Sequence, residues 1–370
     1  MSTVATTWEQ ALAWRLGRQL VAPVGHERVV EVVQRLGAVP AKQQRLAELT
    51  VGLRRARPRP GEVARALADG HLVTAFAFRG GAHHLSPEDG GAYLALRAAG
   101  RQWELKSWQD HYRLRPEDWP AFRATVREAL AGGPLTVAEL GAAVTRRPAY
   151  RHLRTVFTDG AGTLVKPLTW QGDVGFGPPR DGRATFQRLD DNPRWAGVWE
   201  LEEAGPYAVT AYLRAYGPAT PEHVHYWLGA GLSAGRRRID RWWEGLRERL
   251  EAVDVAGRTA YVLAEDLDAL RATEPTDAVR LLPGHDPWVM GPGTKDESIV
   301  PPALRTQVTN GADVVVVGGV VGGTWTVRRD EVHVAWSTDG RAPISALEAE
   351  VDRLAVLLGR PLSAVLDTGA

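Results

Sequence analysis

The chain has 370 residues, of which 44% are hydrophobic and 24% charged, as in a folded globular protein of two or three modules. It contains no cysteine, which excludes disulfides, thiolate nucleophiles and cysteine-ligated zinc and suits a reducing compartment such as the cytoplasm. No apolar run reaches the roughly 18 residues of a membrane span, and the first residues lack a signal-peptide pattern, so neither is expected.

The net charge is only +1, but the charges are unevenly distributed along the chain. Residues 1–60 contain ten basic and four acidic residues, a net charge of +6, whereas residues 262–300 contain three basic and eight acidic residues, a net charge of −5. Such asymmetry is typical of a protein that offers one face to a polyanion, although a solvated helical surface explains it equally well.

The first part of the chain, residues 1–130, has the outline of a winged helix. The spacing of its apolar residues predicts helices over residues 8–20, 26–36, 40–55 and 62–70. A strand is predicted at residues 71–78, followed by a turn and a returning strand at residues 79–86. Several helices followed by a hairpin are the element order of a winged-helix unit.

The same outline is predicted in residues 131–203. Thr136 and Glu139 have the spacing of a capping box at the start of a helix over residues 134–144. A second helix is predicted near residues 149–157, and residues 163–178 alternate as a strand pair around a turn at Gln171.

A third unit is predicted in residues 204–275, and the pattern changes after it. Helices are predicted over residues 207–217, 220–229 and 236–250, and two short strands over residues 251–264. The last part, residues 276–370, contains β-branched strand-like sequence at 313–336 and a closing amphipathic helix at 344–359. The predicted fold class is therefore α+β, with three tandem winged-helix units followed by a small C-terminal β-barrel or sheet.

Five segments, in this order along the chain, resemble the AlkZ-type DNA glycosylases. They are VPAKQQRLAELTVGLR (39–54), LVTAFAFRGGAHHLSPED (72–89), AYLRAYGPATPEHVHYWLG (211–229), LLPGHDPWVMG (281–291) and VVGGVVGGTW (316–325). The resemblance implies three winged-helix units in an arc, a C-terminal β-barrel, and excision of alkylated purines, some of them bulky or cross-linked adducts. It also implies catalysis by a Gln-apolar-Gln motif, or variants beginning with His or ending in Asp, that holds a water against the anomeric carbon.

The catalytic motif of that family falls here on Pro40-Ala41-Lys42, so both polar residues are replaced. Three interpretations remain open. A partly buried Lys42 could form a Schiff base with the sugar C1′. Gln43 or Gln44 could substitute after a change of register, although neighbours on a helix point about 100° apart. Finally, the chemistry could be lost, with Lys42 contacting phosphate in a non-catalytic DNA-binding or regulatory protein on the same scaffold.

The candidate DNA-binding residues share basic character or a place in the first wing. They are Arg45, Arg79, Gly80, His83, His84, Arg146, Arg147, Arg151, Arg236, Arg237 and Arg238. Glycine permits close approach of phosphate, although a tight hairpin explains Gly80 equally well. On a strand, the two adjacent histidines point to opposite faces, so one is expected to pack inward and the other to face DNA. The N-terminus of a helix is an unfavourable place for cations. Three arginines at the predicted start of a helix, Arg236, Arg237 and Arg238, therefore indicate contact with phosphate or a solvated surface.

Three other conspicuous residues are predicted to have structural roles. Trp242 and Trp243 are expected in the core and at its rim, and Asp286 in a turn or helix cap. No metal-ligand cluster or cofactor motif is visible, so neither a metal nor a cofactor is expected. The sequence thus predicts a cytoplasmic monomer, without a membrane segment, that binds double-stranded and damaged DNA.

Overall fold

A computed structural model describes residues 4–229, 233–337 and 340–367. The α-helices are α1 (Trp8–Arg18), α2 (Val29–Leu36), α3 (Gln44–Gly52), α4 (Glu62–Ala68), α5 (Gly90–Ala98), α6 (Lys106–Tyr112), α7 (Trp119–Ala129), α8 (Val137–Val144), α9 (Arg154–Thr158), α10 (Gly162–Trp170), α11 (Leu201–Tyr216), α12 (Pro221–Gly229), α13 (Arg236–Gly245), α14 (Leu267–Arg271), α15 (Pro287–Met290), α16 (Arg305–Thr309) and α17 (Ile344–Leu358). The strands are β1 (Val4–Thr6), β2 (Val39–Pro40), β3 (Val73–Phe76), β4 (Ala82–Leu85), β5 (Leu135–Thr136), β6 (Val174–Arg180), β7 (Arg183–Arg188), β8 (Leu250–Val255), β9 (Arg258–Leu263), β10 (Val279–Leu282), β11 (Asp313–Val317), β12 (Val320–Arg328), β13 (Glu331–Trp336) and β14 (Ser363–Leu366).

The largest sheet joins the first two predicted units. Its order is β2-β4-β3-β6-β7-β5, with antiparallel pairing throughout. The β3–β4 and β6–β7 hairpins meet where Thr74 pairs with Phe176. Strand β2 lies at the edge of the sheet, which suits Pro40 because proline has no N–H to donate. The edge position brings the segment after Pro40 next to the first wing.

A three-stranded sheet connects the N-terminus to the third predicted unit. Strand β1 runs parallel to β8, and β8 and β9 form an antiparallel hairpin. The helices before this hairpin bury a large aromatic core that includes Tyr212, Tyr216 and Trp227. Trp242 and Trp243 are also buried in it, as expected from the sequence.

The C-terminal part is a curled five-stranded sheet with the order β10-β11-β12-β13-β14. Opposite Val315 and Val316 of β11, the unpaired Gly322 forms a β-bulge that adds local twist to β12. The amphipathic helix α17 packs its apolar side on this sheet through Leu347 and Leu354. In the described residues β10 and β14 form its two edges, so the element predicted as a barrel or sheet is a mixed sheet with α-helices around it.

Several sequence predictions of secondary structure need correction. Residues 163–178 are not a strand pair, because the first half forms α10 and β6 pairs with β7 instead. The apolar side chains of α10 follow helical spacing and are buried, and this packing outweighs the strand propensity of the segment. The helix predicted over 236–250 ends at Gly245, and the one near 149–157 is largely a 3-10 helix over Pro148–Leu153.

Among the described residues, none of the helices is both long enough and apolar enough to cross a membrane.

Candidate DNA-binding and active site

The segment that replaces the catalytic motif lies between an edge strand and a helix. Pro40 pairs with His83 in β2, and the Ala41 N–H donates to the Ala82 carbonyl at 2.9 Å. The predicted helix over 40–55 therefore begins late, at Gln44, and Pro40 does not start it. Lys42 occupies the bend between the two elements and is exposed rather than partly buried.

Gln43 and Gln44 do not form a pair of amides aimed at one point. Gln43 is the extended residue before α3, and its side chain makes no hydrogen bond within the described ranges. Gln44 donates to the Glu48 carboxylate at 3.1 Å, along its own helix. Glu48 in turn accepts from the N–H groups of Val63 and Ala64 at the start of α4. The Gln44 amide thus binds a carboxylate with a structural role and does not act together with Gln43.

Arg79 occupies the tip of the first wing and is held by the third predicted unit. It is exposed and has φ 51°, in the left-handed region. Its Nη1 donates to the Tyr226 hydroxyl at 2.6 Å, and its guanidinium lies 4.9 Å from the centre of the Tyr226 ring. The Trp227 ring is 5.6 Å away. This aromatic support orients a cation whose remaining donors are available to a ligand.

His285, which is not among the residues predicted from the sequence, lies in a loop that Asp313 joins to α3. Asp313 accepts from the Gly284 N–H and forms an ion pair with Arg45 of α3. His285 is half-buried between β10 and α15. Burial lowers its pKa, and the positive charges of Lys42 and Arg79 lower it further. We call these three residues the Lys42 cluster. The signal for His285 was its position beside Asp286 in one of the segments that resemble the family.

Asp286 fixes the backbone next to His285. It is fully buried, and its two carboxylate oxygens accept from Arg54 Nη1 and Nη2 at 2.8 and 2.6 Å. One of these oxygens also accepts from the Trp288 N–H at 2.8 Å, which caps α15. The capping role expected for Asp286 is therefore confirmed, and the buried ion pair with Arg54 adds a link from α3 to the C-terminal part.

Gly80 lies beside two cations that the sequence analysis did not assign to DNA. A Cβ atom built on Gly80 would lie 3.7 Å from both Arg97 Nη2 and Lys166 Nζ. Burial lowers the pKa of Lys166, and the charge of Arg97 adds to this effect. Gly80 has φ 72°, so it also meets the conformational need of a tight turn. Gly80 can thus both form the tight turn of the hairpin and lie close to a DNA phosphate.

The adjacent histidines of β4 are both buried, so the expectation that one of them faces DNA is wrong. His83 Nδ1 lies 2.9 Å from the Gly81 carbonyl, and His84 Nδ1 lies 2.8 Å from the Thr74 hydroxyl. They do point to opposite faces of the strand, but both faces are covered. Burial lowers the pKa of each to about 4, so both rings are neutral near pH 7.

The remaining candidate arginines are exposed at separate places. Arg45 forms an ion pair with Asp313 at 3.5 Å, beside the Lys42 cluster. In the first turn of α13, Arg236 lies 3.9 Å from Asp240, and Arg238 donates to the Ala234 carbonyl at 2.9 Å. Arg146, Arg147 and Arg151 flank the start of a 3-10 helix, and Arg147 pairs with Glu128. No hydrogen bond or ion pair of the described residues joins these two groups to the Lys42 cluster.

Across residues 4–229, 233–337 and 340–367, no three His, Asp or Glu side chains converge in a way that could hold a metal ion.

Comparisons with known proteins give matches over nearly the whole chain. A sequence profile of the DNA glycosylase AlkZ-like family matches residues 33–357. The chain is 35% identical over 356 residues to the interstrand DNA cross-link repair glycosylase of Streptomyces sahachiroi, covering 94% of this chain and 96% of that protein. The solved structure of Streptomyces sahachiroi DNA glycosylase AlkZ matches with a TM-score of 0.91 at 34% identity, covering 98% of this chain and 100% of that one. The matched region includes all three residues of the Lys42 cluster.

Proposed function

The chain belongs to the AlkZ-like DNA glycosylase family, and from this premise we propose that it excises alkylated or bulky-adduct purines from double-stranded DNA. The observation that carries the proposal is the match over nearly the whole chain to an interstrand DNA cross-link repair glycosylase, together with two exposed cations, Lys42 and Arg79, on segments that carry the family resemblance. An N-alkylated purine is cationic and leaves readily. A site that holds the sugar and one water therefore suffices for hydrolysis.

DNA is the substrate of this family, and the finer picture of binding is part of the proposal. We assign phosphate contacts to Arg45, Arg79 and Gly80 near the cluster, and to the arginine groups at 146–151 and 236–238. Exposed arginines on several elements favour wrapping around one duplex by a monomer, because a flexible cation contacts phosphate without reading sequence. Localisation to the cytoplasm remains a prediction.

The proposal includes three winged-helix units, in residues 1–130, 131–203 and 204–275, with the C-terminal part at 276–370. Each of the three contains helices followed by an antiparallel hairpin, namely β3–β4, β6–β7 and β8–β9. In a winged helix the hairpin lies beside the helix that contacts DNA, and Arg79 at the tip of the first hairpin fits that arrangement.

Lys42 and the two glutamines remain the competing catalytic groups from the sequence. An imine mechanism needs the Lys42 amine at the sugar C1′, and the exposed position of Lys42 leaves it accessible to DNA. Gln43 is free to orient a water, whereas Gln44 is already bonded to Glu48. The loss of both amides at positions 40 and 42 supports the second candidate function, a non-catalytic protein that binds damaged DNA on the same scaffold.

The decisive experiment incubates the protein with a duplex that contains one 7-methylguanine, and separately with a cross-linked duplex. We expect released base and an intact abasic strand. Addition of borohydride tests the imine route, which predicts a covalent protein–DNA species that is absent in Lys42→Ala. Binding of damaged DNA without base release from either duplex would contradict the glycosylase proposal and favour the non-catalytic alternative.

A further inference from the structure

We propose that His285 is the catalytic base of this site, the group that accepts a proton from the water that attacks the sugar. The inference rests on the proposed glycosylase function and names a residue outside the Pro40–Gln44 segment.

The loop holds His285 by its two neighbours in the chain. The Gly284 N–H donates to Asp313 Oδ1 at 2.7 Å, and Asp286 is bonded to Arg54 and to the start of α15. His285 itself has φ 59°, a left-handed conformation that non-glycine residues rarely adopt. Such conformations persist where the surrounding structure imposes them, and they cluster at functional sites.

The imidazole of His285 packs against Gly311. A Cβ atom built on Gly311 would lie 2.4 Å from His285 Nε2 and 2.9 Å from Cε1, so no larger residue fits there without moving the ring. No hydrogen bond or ion pair engages the His285 side chain in the part of the chain that the structure describes. The imidazole is half-buried and held in place, and it makes no hydrogen bond within the described residues. It can therefore form a hydrogen bond with a ligand or a water.

The charges around His285 favour its neutral form. Burial lowers the pKa of His285, and the positive charges of Lys42, between β2 and α3, and of Arg79, at the tip of the first wing, lower it further. Asp286, next in the chain, is neutralised by Arg54, and Asp313 accepts from Gly284 and Arg45. A ring that is neutral near pH 7 can accept a proton, while the two cations draw the DNA backbone towards it.

The other polar groups of the candidate site are less suited to this role. Lys42 and Arg79 are cations with no acceptor atom. Gln44 is bonded to Glu48, and Asp286 is enclosed by Arg54. Gln43 can orient a water but cannot take its proton. His285 is thus the titratable acceptor within the Lys42 cluster, and its side chain has no hydrogen-bond partner in the described part of the chain.

The reaction step balances with no further reactant. The bond between the sugar C1′ and the purine nitrogen breaks, and its electron pair leaves with the base, which becomes neutral if it was an alkylated cation. A bond forms between C1′ and the water oxygen, and the water proton passes to the free imidazole nitrogen of His285. The products are the free base, an abasic sugar and a protonated His285 that solvent deprotonates.

The test measures single-turnover release of 7-methylguanine from a duplex between pH 5 and pH 9. In the wild type we expect a plateau at neutral and alkaline pH and a fall in rate only at acid pH, where His285 becomes protonated. His285→Ala is expected to lower the plateau about a hundredfold. His285→Gln, which keeps a hydrogen-bond acceptor, is expected to retain part of the rate and to lose the acid fall. His26→Ala, an exposed histidine elsewhere, is the control and should match the wild type.

A second variant separates a catalytic role from a structural one. Lys42→Ala removes a positive charge near His285, so the acid fall in rate should move to higher pH, a shift that a packing role would not produce. Base release by the wild type with an unchanged rate and pH profile in His285→Ala would overturn the inference and leave the glycosylase function standing. No base release by the wild type would overturn both.

Discussion

Arg54 and Asp286 form an ion pair in which both side chains are fully buried. Removal of one partner leaves a buried charge without compensation, which typically costs about 3–5 kcal/mol. We therefore expect Asp286→Ala to lower the free energy of unfolding by about this amount, measured by urea denaturation. Asp110→Ala, which breaks the exposed pair with Lys106, is the control and should cost much less. Equal losses in the two variants would contradict the buried pair.

Burial of His83 and His84 gives stability a defined dependence on pH. Their pKa is lowered to about 4 in the folded chain, compared with 6.5 for an ordinary histidine. Between pH 4 and pH 6.5 the unfolded chain binds more protons than the folded chain. The free energy of unfolding is therefore highest above pH 6.5 and decreases as the pH falls towards 4. The expected loss is on the order of a few kcal/mol.

The measurement for these histidines is the free energy of unfolding in urea at pH 8 and at pH 5. His84→Gln removes one titrating ring, and we expect a smaller difference between the two pH values than in the wild type. His26→Ala, which replaces an exposed ring, should leave the difference unchanged. The same pH difference in His84→Gln and the wild type would rule out His84 as a source of the dependence.

Among the individual helices, α8 offers a direct test of a capping box at its start. The Thr136 hydroxyl accepts from the Glu139 N–H at 3.3 Å, and the Glu139 carboxylate accepts from the Thr136 N–H at 2.8 Å. Thr136→Ala is expected to reduce the free energy of unfolding by about 1 kcal/mol, because the Glu139 N–H loses its acceptor and the reciprocal bond is weakened. Thr136→Ser keeps the hydroxyl and should cost much less. Similar losses in both variants would point to the methyl group instead.

The sequence predicts elements well where a local pattern and a strong turn coincide. The capping box of α8, the hairpins predicted at residues 71–86 and 251–264, and the helix predicted at 344–359 follow directly from such patterns. The pattern fails for α10, where apolar and β-branched residues satisfy both helix and strand, and packing in the core decides. It also fails for Pro40, which is predicted to begin a helix but lies in an edge strand.

The candidate site was only partly predictable because it is assembled from distant parts of the chain. Lys42 and Arg79 were found from their place in the segments that resemble the family. His285 was not, because its relation to Lys42 depends on the packing of the C-terminal part against α3, to which the buried pair of Arg54 and Asp286 contributes. A local pattern carries no information about contacts between residues more than two hundred positions apart.

For the molecule as a whole, the distribution of charge predicts how the protein binds DNA. The net charge is +1, so a general attraction between protein and DNA is weak, and affinity must come from basic groups at particular places. The exposed arginines of the first turn of α13 are one such group. We expect binding to an undamaged duplex to weaken steeply with salt and to show little dependence on DNA sequence.

The salt dependence of DNA binding tests whether the arginines of α13 contact the DNA. Each phosphate interaction that a variant removes should reduce the slope of log affinity against log salt concentration by about 0.9. Replacement of Arg236, Arg237 and Arg238 by Ala should therefore lower both the affinity and the slope, and equally for different duplex sequences. The charge-matched control replaces Arg328, Arg329 and Arg341, which are exposed in the C-terminal part. Because both variants lose three positive charges, a smaller slope in the α13 variant alone identifies a local contact, whereas equal slopes would reflect only net charge.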